Sequence, residues 1–245
     1  MNYKLLVQYD GTKYNGWQKQ GSTTNTIQGK LEHILTKMTG SEIEIHGSGR
    51  TDAGVHAYGQ VANFKCKQTY DSKYILDYLN EYLPQDICVC AASIASERFH
   101  SRLNAIGKKY LYRIQNSSIK NVFERNYITQ IEDPLDLSLM RLGASYLLGE
   151  HDFKAFCSKP KMKKSTIRTI HQLDITKEND EIQILIRGNG FLYHMVRIIA
   201  GTLVEVGHGK LSPGAVKEIL ESGDRRAANY MAPAKGLSLL EVYYD

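Results

Sequence analysis

Glu42-Ile43-Glu44-Ile45-His46-Gly47-Ser48-Gly49-Arg50-Thr51-Asp52-Ala53-Gly54-Val55-His56 is the stretch on which the architecture of the first half turns. Its first five residues alternate polar and apolar, as a half-buried strand does. Three glycines then break the pattern into a loop whose backbone is free to take unusual angles. After the loop, Gly59 to Phe64 predicts another strand. Upstream, Tyr3 to Tyr9 alternates and runs into Asp10-Gly11, a strand entering a turn. Asn25-Thr26-Ile27-Gln28 then opens a helix whose Ile27, Leu31, Ile34, Leu35 and Met38 keep helical spacing as far as Gly40. Downstream, Ser72 is read as the cap of a helix carrying Ile75, Leu76, Leu79 and Tyr82 and stopped by Pro84. Ile87 to Ile94 is a further strand. The order β-α-β-β-α-β is the ferredoxin-like split βαβ pattern.

The second half repeats the rhythm with larger elements. Lys109 to Gln115 predicts a strand and Leu135 to Leu148 a helix. Ile167 to Thr176 and Ile182 to Arg187 predict a hairpin around Glu178-Asn179-Asp180-Glu181. Phe191 to Val206 is long and apolar and reads as a buried helix, Ser212-Pro213 starts another, and Leu237 to Tyr244 is a last strand. The class is α+β, with one sheet-and-helix half over residues 1–104 and a second over 105–245.

The 245 residues, 42% of them apolar, suffice for substantial cores, and 16 Tyr with only 5 Pro exclude a disordered chain. No apolar run approaches the ~18 residues of a membrane span. Met1 to Val7 lacks a signal-peptide pattern, which predicts a cytoplasmic protein. Cys66, Cys88, Cys90 and Cys157 make no CxxC pair and are expected as buried, reduced thiols. A net charge of +5 permits a polyanionic partner without demanding one.

Arg50 and Asp52 place a cation and a carboxylate two residues apart on the glycine loop. An Asp held this way can act as a nucleophile, with the Arg keeping it ionised or gripping a phosphate. An ion pair or an Asx turn that merely shapes the loop is the plainer reading, slightly favoured by spacing alone. A metal site from His46, His56 and Asp52, or from His151-Asp152, is a minority reading, and no Walker loop or nucleophilic Ser or Cys signature is present. Lys108-Lys109-Tyr110-Leu111-Tyr112-Arg113, with Tyr110 and Tyr112 on one face, Lys159-Pro160-Lys161-Met162-Lys163-Lys164 and Arg225-Arg226 together raise RNA binding above background. Arg197 sits in the apolar run Val196 to Leu203. A buried guanidinium there requires an acid, for which Asp52 is the attractive candidate, unless Arg197 lies on the helix's solvent face.

Taken together, these motifs resemble the bacterial tRNA pseudouridine synthase A (TruA) family. The resemblance rests on Tyr9-Asp10-Gly11-Thr12 with Gly16-Trp17-Gln18, Arg50-Thr51-Asp52-Ala53-Gly54-Val55-His56-Ala57 and Arg98-Phe99-His100-Ser101-Arg102. It continues through Lys109-Tyr110, His151-Asp152-Phe153, Asn189 to Arg197, and Ala232-Pro233-Ala234 with Gly236-Leu237. It implies the pseudouridine synthase fold, two ferredoxin-like halves around a central catalytic cleft, and overrides the plainer reading of the loop. It further implies conversion of uridines 38, 39 and 40 in the tRNA anticodon stem-loop to pseudouridine, without cofactor or metal, by a homodimer. By resemblance Asp52 is the catalytic carboxylate and Arg197 its partner. Tyr110 packs on the target base, Arg50 opens the site or holds the flipped nucleotide, and His56 and Lys109 contact substrate. Asn15 departs from the bulkier or imidazole side chain that relatives often carry. The Arg-Thr-Asp block supplies one carboxylate where glycosidases use two, which suits rearrangement over hydrolysis. That carboxylate has three open roles: attack on the ribose, attack on the base, or proton abstraction. The competing reading from another class is a tRNA-binding or chaperone module without catalysis.

Overall fold

A computed structural model describes residues 1–159 and 165–245, and these divide into two compact units, Met1–Ile106 with Ser238–Asp245 and Gly107–Leu237. The expected boundary at 104 falls two residues before this division, and the terminal strand goes with the first unit. Most of the Lys159 to Lys164 loop lies outside the described residues. Among the described residues no helix is long and apolar enough to cross a membrane.

The first unit contains β1 (Asn2–Tyr9), α1 (Ile27–Thr39), β2 (Ile45–Gly47), β3 (His56–Lys65), α2 (Ser72–Tyr82) and β4 (Ile87–Ala95). β1 is antiparallel to both β4 and β3, and β2 is antiparallel to β3, so the order β4-β1-β3-β2 is the ferredoxin-like arrangement expected from the sequence. β3 is long enough to carry two neighbours: β2 pairs at Ala62 to Phe64, while the last strand, β10 (Leu237–Tyr243), runs parallel to it at His56 and Ala57. Alternation in β1 buries Tyr3, Leu5, Val7 and Tyr9. Ile27, Leu31, Ile34 and Leu35 of α1 are buried, each such side chain contributing about 1.5–3 kcal/mol. The Thr26 hydroxyl accepts from Gly29 N at 3.2 Å and caps the helix, and Gly40 ends it with φ 67°.

Several expectations shift here. The alternation at 42–46 yields only a three-residue β2, because Ile43 N donates to Thr36 Oγ1 of α1 (3.2 Å) instead of joining a ladder. α2 is capped by the Asp71 carboxylate, which accepts from Lys73 N at 2.6 Å, and not by Ser72. Cys88 and Cys90 are exposed and Cys66 is half-exposed, leaving Cys157 as the buried thiol. The first two lie on the outward face of β4, opposite the buried Ile87 and Val89.

The second unit contains β5 (Gly107–Asn116), β6 (Thr129–Ile131), α3 (Leu137–Ser145), β7 (Gly149–Asp152), β8 (Ile167–Glu178), β9 (Glu181–Gly188), α4 (Met195–Gly207) and α5 (Ala215–Ser222). Its sheet runs β6-β5-β9-β8-β7. The hairpin β8–β9 turns at Asn179, whose φ of 52° asparagine tolerates. α3 is shorter than its apolar pattern suggested because Asp136 caps it two residues in, accepting from Ser138 N (2.8 Å) and Leu139 N (3.0 Å). α4 begins at Met195 and not at Phe191, since His194 adopts a left-handed φ of 66° that a helix cannot propagate. Its Ile198, Ile199, Leu203 and Val206 are fully buried.

Tyr112 of β5 illustrates how this unit is closed. Its hydroxyl is buried between Thr129 Oγ1 (2.7 Å) and Pro233 O (2.9 Å), and burial raises the phenol well above its ordinary pKa. Tyr112→Phe leaves both partners unsatisfied in the interior. Chemical denaturation is expected to show a loss of about 1–3 kcal/mol with an unchanged m-value.

Candidate active site

Asp52 stands on the loop between β2 and β3, and the fold grips that loop from two sides. On one side Ser48 N donates to Val61 O (2.7 Å), Ser48 Oγ to Gln60 Oε1 (2.6 Å) and Gln60 Nε2 to Gly49 O (3.1 Å). From the other comes the segment after β1. Trp17 N donates to Thr51 O (3.1 Å), the Tyr9 hydroxyl bonds Thr51 Oγ1 (2.8 Å), and Gly11 N donates to His56 Nδ1 (3.1 Å). Burial pushes the Tyr9 phenol up to about 12, so this hydroxyl stays neutral across the working pH range. Val55 N closes a tight turn onto Asp52 O at 3.1 Å.

This approach of two segments is possible because of glycine. At Gly16, φ is +86° and a Cβ would lie 2.5 Å from Thr51 O; at Gly11 it would lie 2.0 Å from Val55 O. Thr51 and Val55 are therefore buried, while Asp52 between them is half-buried and Arg50 is exposed. Arg50 Nε donates to Gln18 Oε1 at 3.0 Å. The result is a carboxylate whose backbone is fixed on both sides, next to a guanidinium at the surface. His56, expected as a substrate contact, is buried, and its ring holds the loop through Gly11.

The remaining expected residues lie in the second unit. Tyr110 of β5 is buried, with Phe191 edge-on to its ring at 5.2 Å, and Lys109 is half-buried opposite Arg187. Arg197 is half-buried on α4. Its Nε donates to Ala232 O (2.9 Å), and Ala232 N returns a bond to Arg197 O (3.0 Å). The first unit thus brings Arg50 and Asp52 onto one loop with His56 at the start of the strand that follows, and the second holds Lys109, Tyr110 and Arg197.

The basic clusters are less available than their composition implied. Arg113 is committed to Glu181, with both bonds at 2.8 Å, and to Glu124; the guanidinium holds the Glu181 carboxyl below its usual range. Tyr112 is a buried structural residue and no platform for a base. Arg226 pairs with Asp224 at 2.7 Å and holds its carboxyl down to about 2; both border a surface cavity of about 560 Å³ that also meets Lys154, Ser158 and Arg225. The His151-Asp152 pair serves local turns, His151 Nε2 facing Leu148 O (2.8 Å) and Asp152 Oδ1 accepting from Lys154 N (3.0 Å). His46 stacks on His100 at 4.9 Å. Among the described residues no group of three or more His, Cys, Asp or Glu is placed to hold a metal ion.

Sequence reasoning missed the side chains behind Arg50. Gln28 and Glu32 are buried on α1 beside Leu31 and Leu35. Their signal was a polar pair at i, i+4 on an apolar helix face, a pattern that costs stability unless both members find partners.

The sequence model of a family described as tRNA pseudouridine synthase matches residues 5–103 and 144–245, leaving out the stretch with Lys109 and Tyr110. A tRNA pseudouridine synthase A of Bacillus sp. (strain KSM-64) is 50% identical over 238 residues, 97% of each chain. A tRNA pseudouridine synthase A 2 of Bacillus cereus (strain ATCC 14579) is 45% identical over 243 residues, 99% of each. One of Clostridium tetani (strain Massachusetts / E88) is 44% identical over 245 residues, all of this chain and 99% of that one.

Gly16 provides a direct test of the loop's mounting. Gly16→Ala should lower stability by at least about 1–2 kcal/mol through its left-handed φ alone, with the clash against Thr51 O adding to it. Gly21→Ala, where a Cβ meets nothing within 4 Å, is the matched control and should be near neutral in the same thermal-unfolding measurement.

Proposed function

The chain belongs to the tRNA pseudouridine synthase family and is an isomerase acting on tRNA; from that premise we propose that it converts uridines 38, 39 and 40 of the anticodon stem-loop, with Asp52 as the catalytic carboxylate. The observation that carries this reading is the mounting of Asp52: a half-buried carboxylate on a loop bonded at Thr51 and His56 to the segment that follows β1, and at Ser48 and Gly49 to β3. Such fixation is what a charge-stabilising group needs, because no reorganisation remains to be done when the reaction occurs.

The chemistry follows from the bonds exchanged. The N1–C1′ bond of the uridine breaks, the base turns, a C5–C1′ bond forms, the proton on C5 leaves to solvent and N1 takes one up, so that the product is an isomer of the uridine. A ribose losing its base develops positive charge, which one nearby anion stabilises or traps. The target base is stacked in a stem and has to be flipped out to be reached. Arg50, exposed beside the carboxylate, is assigned to the flipped nucleotide. Tyr110 is assigned to packing against the base, Arg197 to countering the charge of Asp52, Lys109 to a supporting substrate contact, and the buried His56 to holding the loop that presents Asp52 to substrate. The working form carried by the family resemblance is a homodimer.

Tritium release from tRNA containing [5-³H]uridine tests this. Wild type should release tritium with EDTA present, and Asp52→Asn should bind tRNA normally while losing about 10³-fold or more in rate. Wild-type release from Asp52→Asn would remove Asp52 from the reaction. Absence of release from wild type with tRNA still bound would favour a binding module. Tyr110→Phe is expected to slow release by about 100-fold at nearly unchanged tRNA affinity, as measured in parallel by filter binding.

A further inference from the structure

A line of side-chain hydrogen bonds begins at Arg50 and ends in the interior of the first unit. Arg50 Nε donates to Gln18 Oε1 (3.0 Å), Gln18 Nε2 to Gln28 Oε1 (2.6 Å), and Gln28 Nε2 to Glu32 Oε1 (2.8 Å). The inner end is anchored several times over. Glu32 Oε1 also accepts from Ile45 N (3.1 Å), Glu32 Oε2 lies 3.1 Å from Lys19 Nζ, and Lys19 N donates to Gln28 Oε1 (2.9 Å). Gln28 and Glu32 are each only 6% exposed.

The polarity of this line is determined from both ends. A guanidinium can only donate and an ionised carboxylate can only accept. Gln18 must therefore present its oxygen to Arg50, which turns its amide hydrogens to Gln28. Gln28 in turn must present its oxygen outward, where Lys19 N also requires it, and its hydrogens to Glu32. Reversing the Gln18 amide would oppose like groups at two contacts, and reversing that of Gln28 at four. The oxygen facing Arg50 is thus directed by a buried acid two hydrogen bonds away, and successive bonds of one sense reinforce each other.

We infer that Gln18 is a positioning residue for Arg50, mounted on the buried Gln28–Glu32 pair of α1. An exposed arginine samples many rotamers. One well-directed acceptor narrows that set before RNA arrives, so less ordering is left for the reacting complex. The inference rests on the functional reading above, in which Arg50 meets the flipped nucleotide. It adds that Gln18 acts only through Arg50.

A double-mutant cycle tests it, using tritium release from [5-³H]uridine tRNA under single-turnover conditions, where slow variants remain measurable. Gln18→Ala should lower the maximal rate about tenfold, the scale of one hydrogen bond to a charged group, with the half-saturating enzyme concentration changed less than about twofold. Gln18→Met, which fills the same space without an amide, should behave alike. Combined with Arg50→Ala, Gln18→Ala should cost nothing more, because its effect passes through the missing guanidinium. Additive losses would overturn the inference, as would wild-type behaviour of Gln18→Met, an effect on half-saturation alone, or a faster rate, which would make Gln18 a latch. Wild-type release from Arg50→Ala would overturn it too while leaving the enzyme's function intact. Failure of wild type itself to release tritium would strike the functional reading before any variant is compared.

Discussion

The bond from Trp17 N to Thr51 O, made at the point where Gly16 leaves no room for a side chain, is the contact on which the first unit's working geometry depends. It joins the segment leaving β1 to the loop entering β3, so the position of Asp52 follows from the positions of two neighbouring strands and not from the loop's own preferences. The ring of Trp17 is nearly fully buried against Gly47, where a Cβ would lie 2.5 Å from it. The same side chain thereby fixes where β2 stops and the loop starts. A flexible glycine loop becomes a rigid one because its freedom is consumed by close backbone contact.

Polar groups in this unit are used as struts. Gln28, Glu32, Ser48, Gln60 and Thr51 are all buried, and each is bonded to backbone, to another of the set or, for Thr51, to the Tyr9 hydroxyl. Their net contribution to stability is modest, since each exchanged water for protein. Their directional demands are strict, however, and a fully satisfied buried network permits few alternative packings. An apolar core of the same volume would hold the strands together as well without specifying which way an exposed arginine points.

The second unit uses its polar residues differently. Arg113 is drawn into a clamp with Glu181 and Glu124, and Tyr112 is consumed by Thr129 and Pro233. Of the residues in the basic and aromatic stretch 108–113, these two therefore serve the fold. Tyr110 shares their strand and a face with Tyr112, yet it meets another aromatic ring edge-on. Alternation along a strand reports which residues share a face; it does not report which neighbours, polar or aromatic, each of them meets there.

Much of this was legible in the residues. The split βαβ order of the first half, the α1 helix with Thr26 and Gly40 at its ends, and the Arg50-Thr51-Asp52 loop all follow from short-range pattern: alternation, helical spacing and glycine placement are local properties that survive in any tertiary setting. What depended on partners far along the chain was not legible. β2 is cut short by Thr36, α4 is delayed by the backbone of His194, Cys88 and Cys90 are exposed because the fold buries the Ile87–Val89 face of β4 and leaves theirs to solvent, and Arg113 is neutralised by Glu181, 68 residues away. The sequence by itself determined that a carboxylate and a guanidinium would sit on one permissive loop. Only the tertiary structure decided that the loop is immobilised and that Arg50 meets Gln18, because hydrogen-bond direction is set by which donors and acceptors the fold brings within about 3 Å, and no linear pattern encodes that distance.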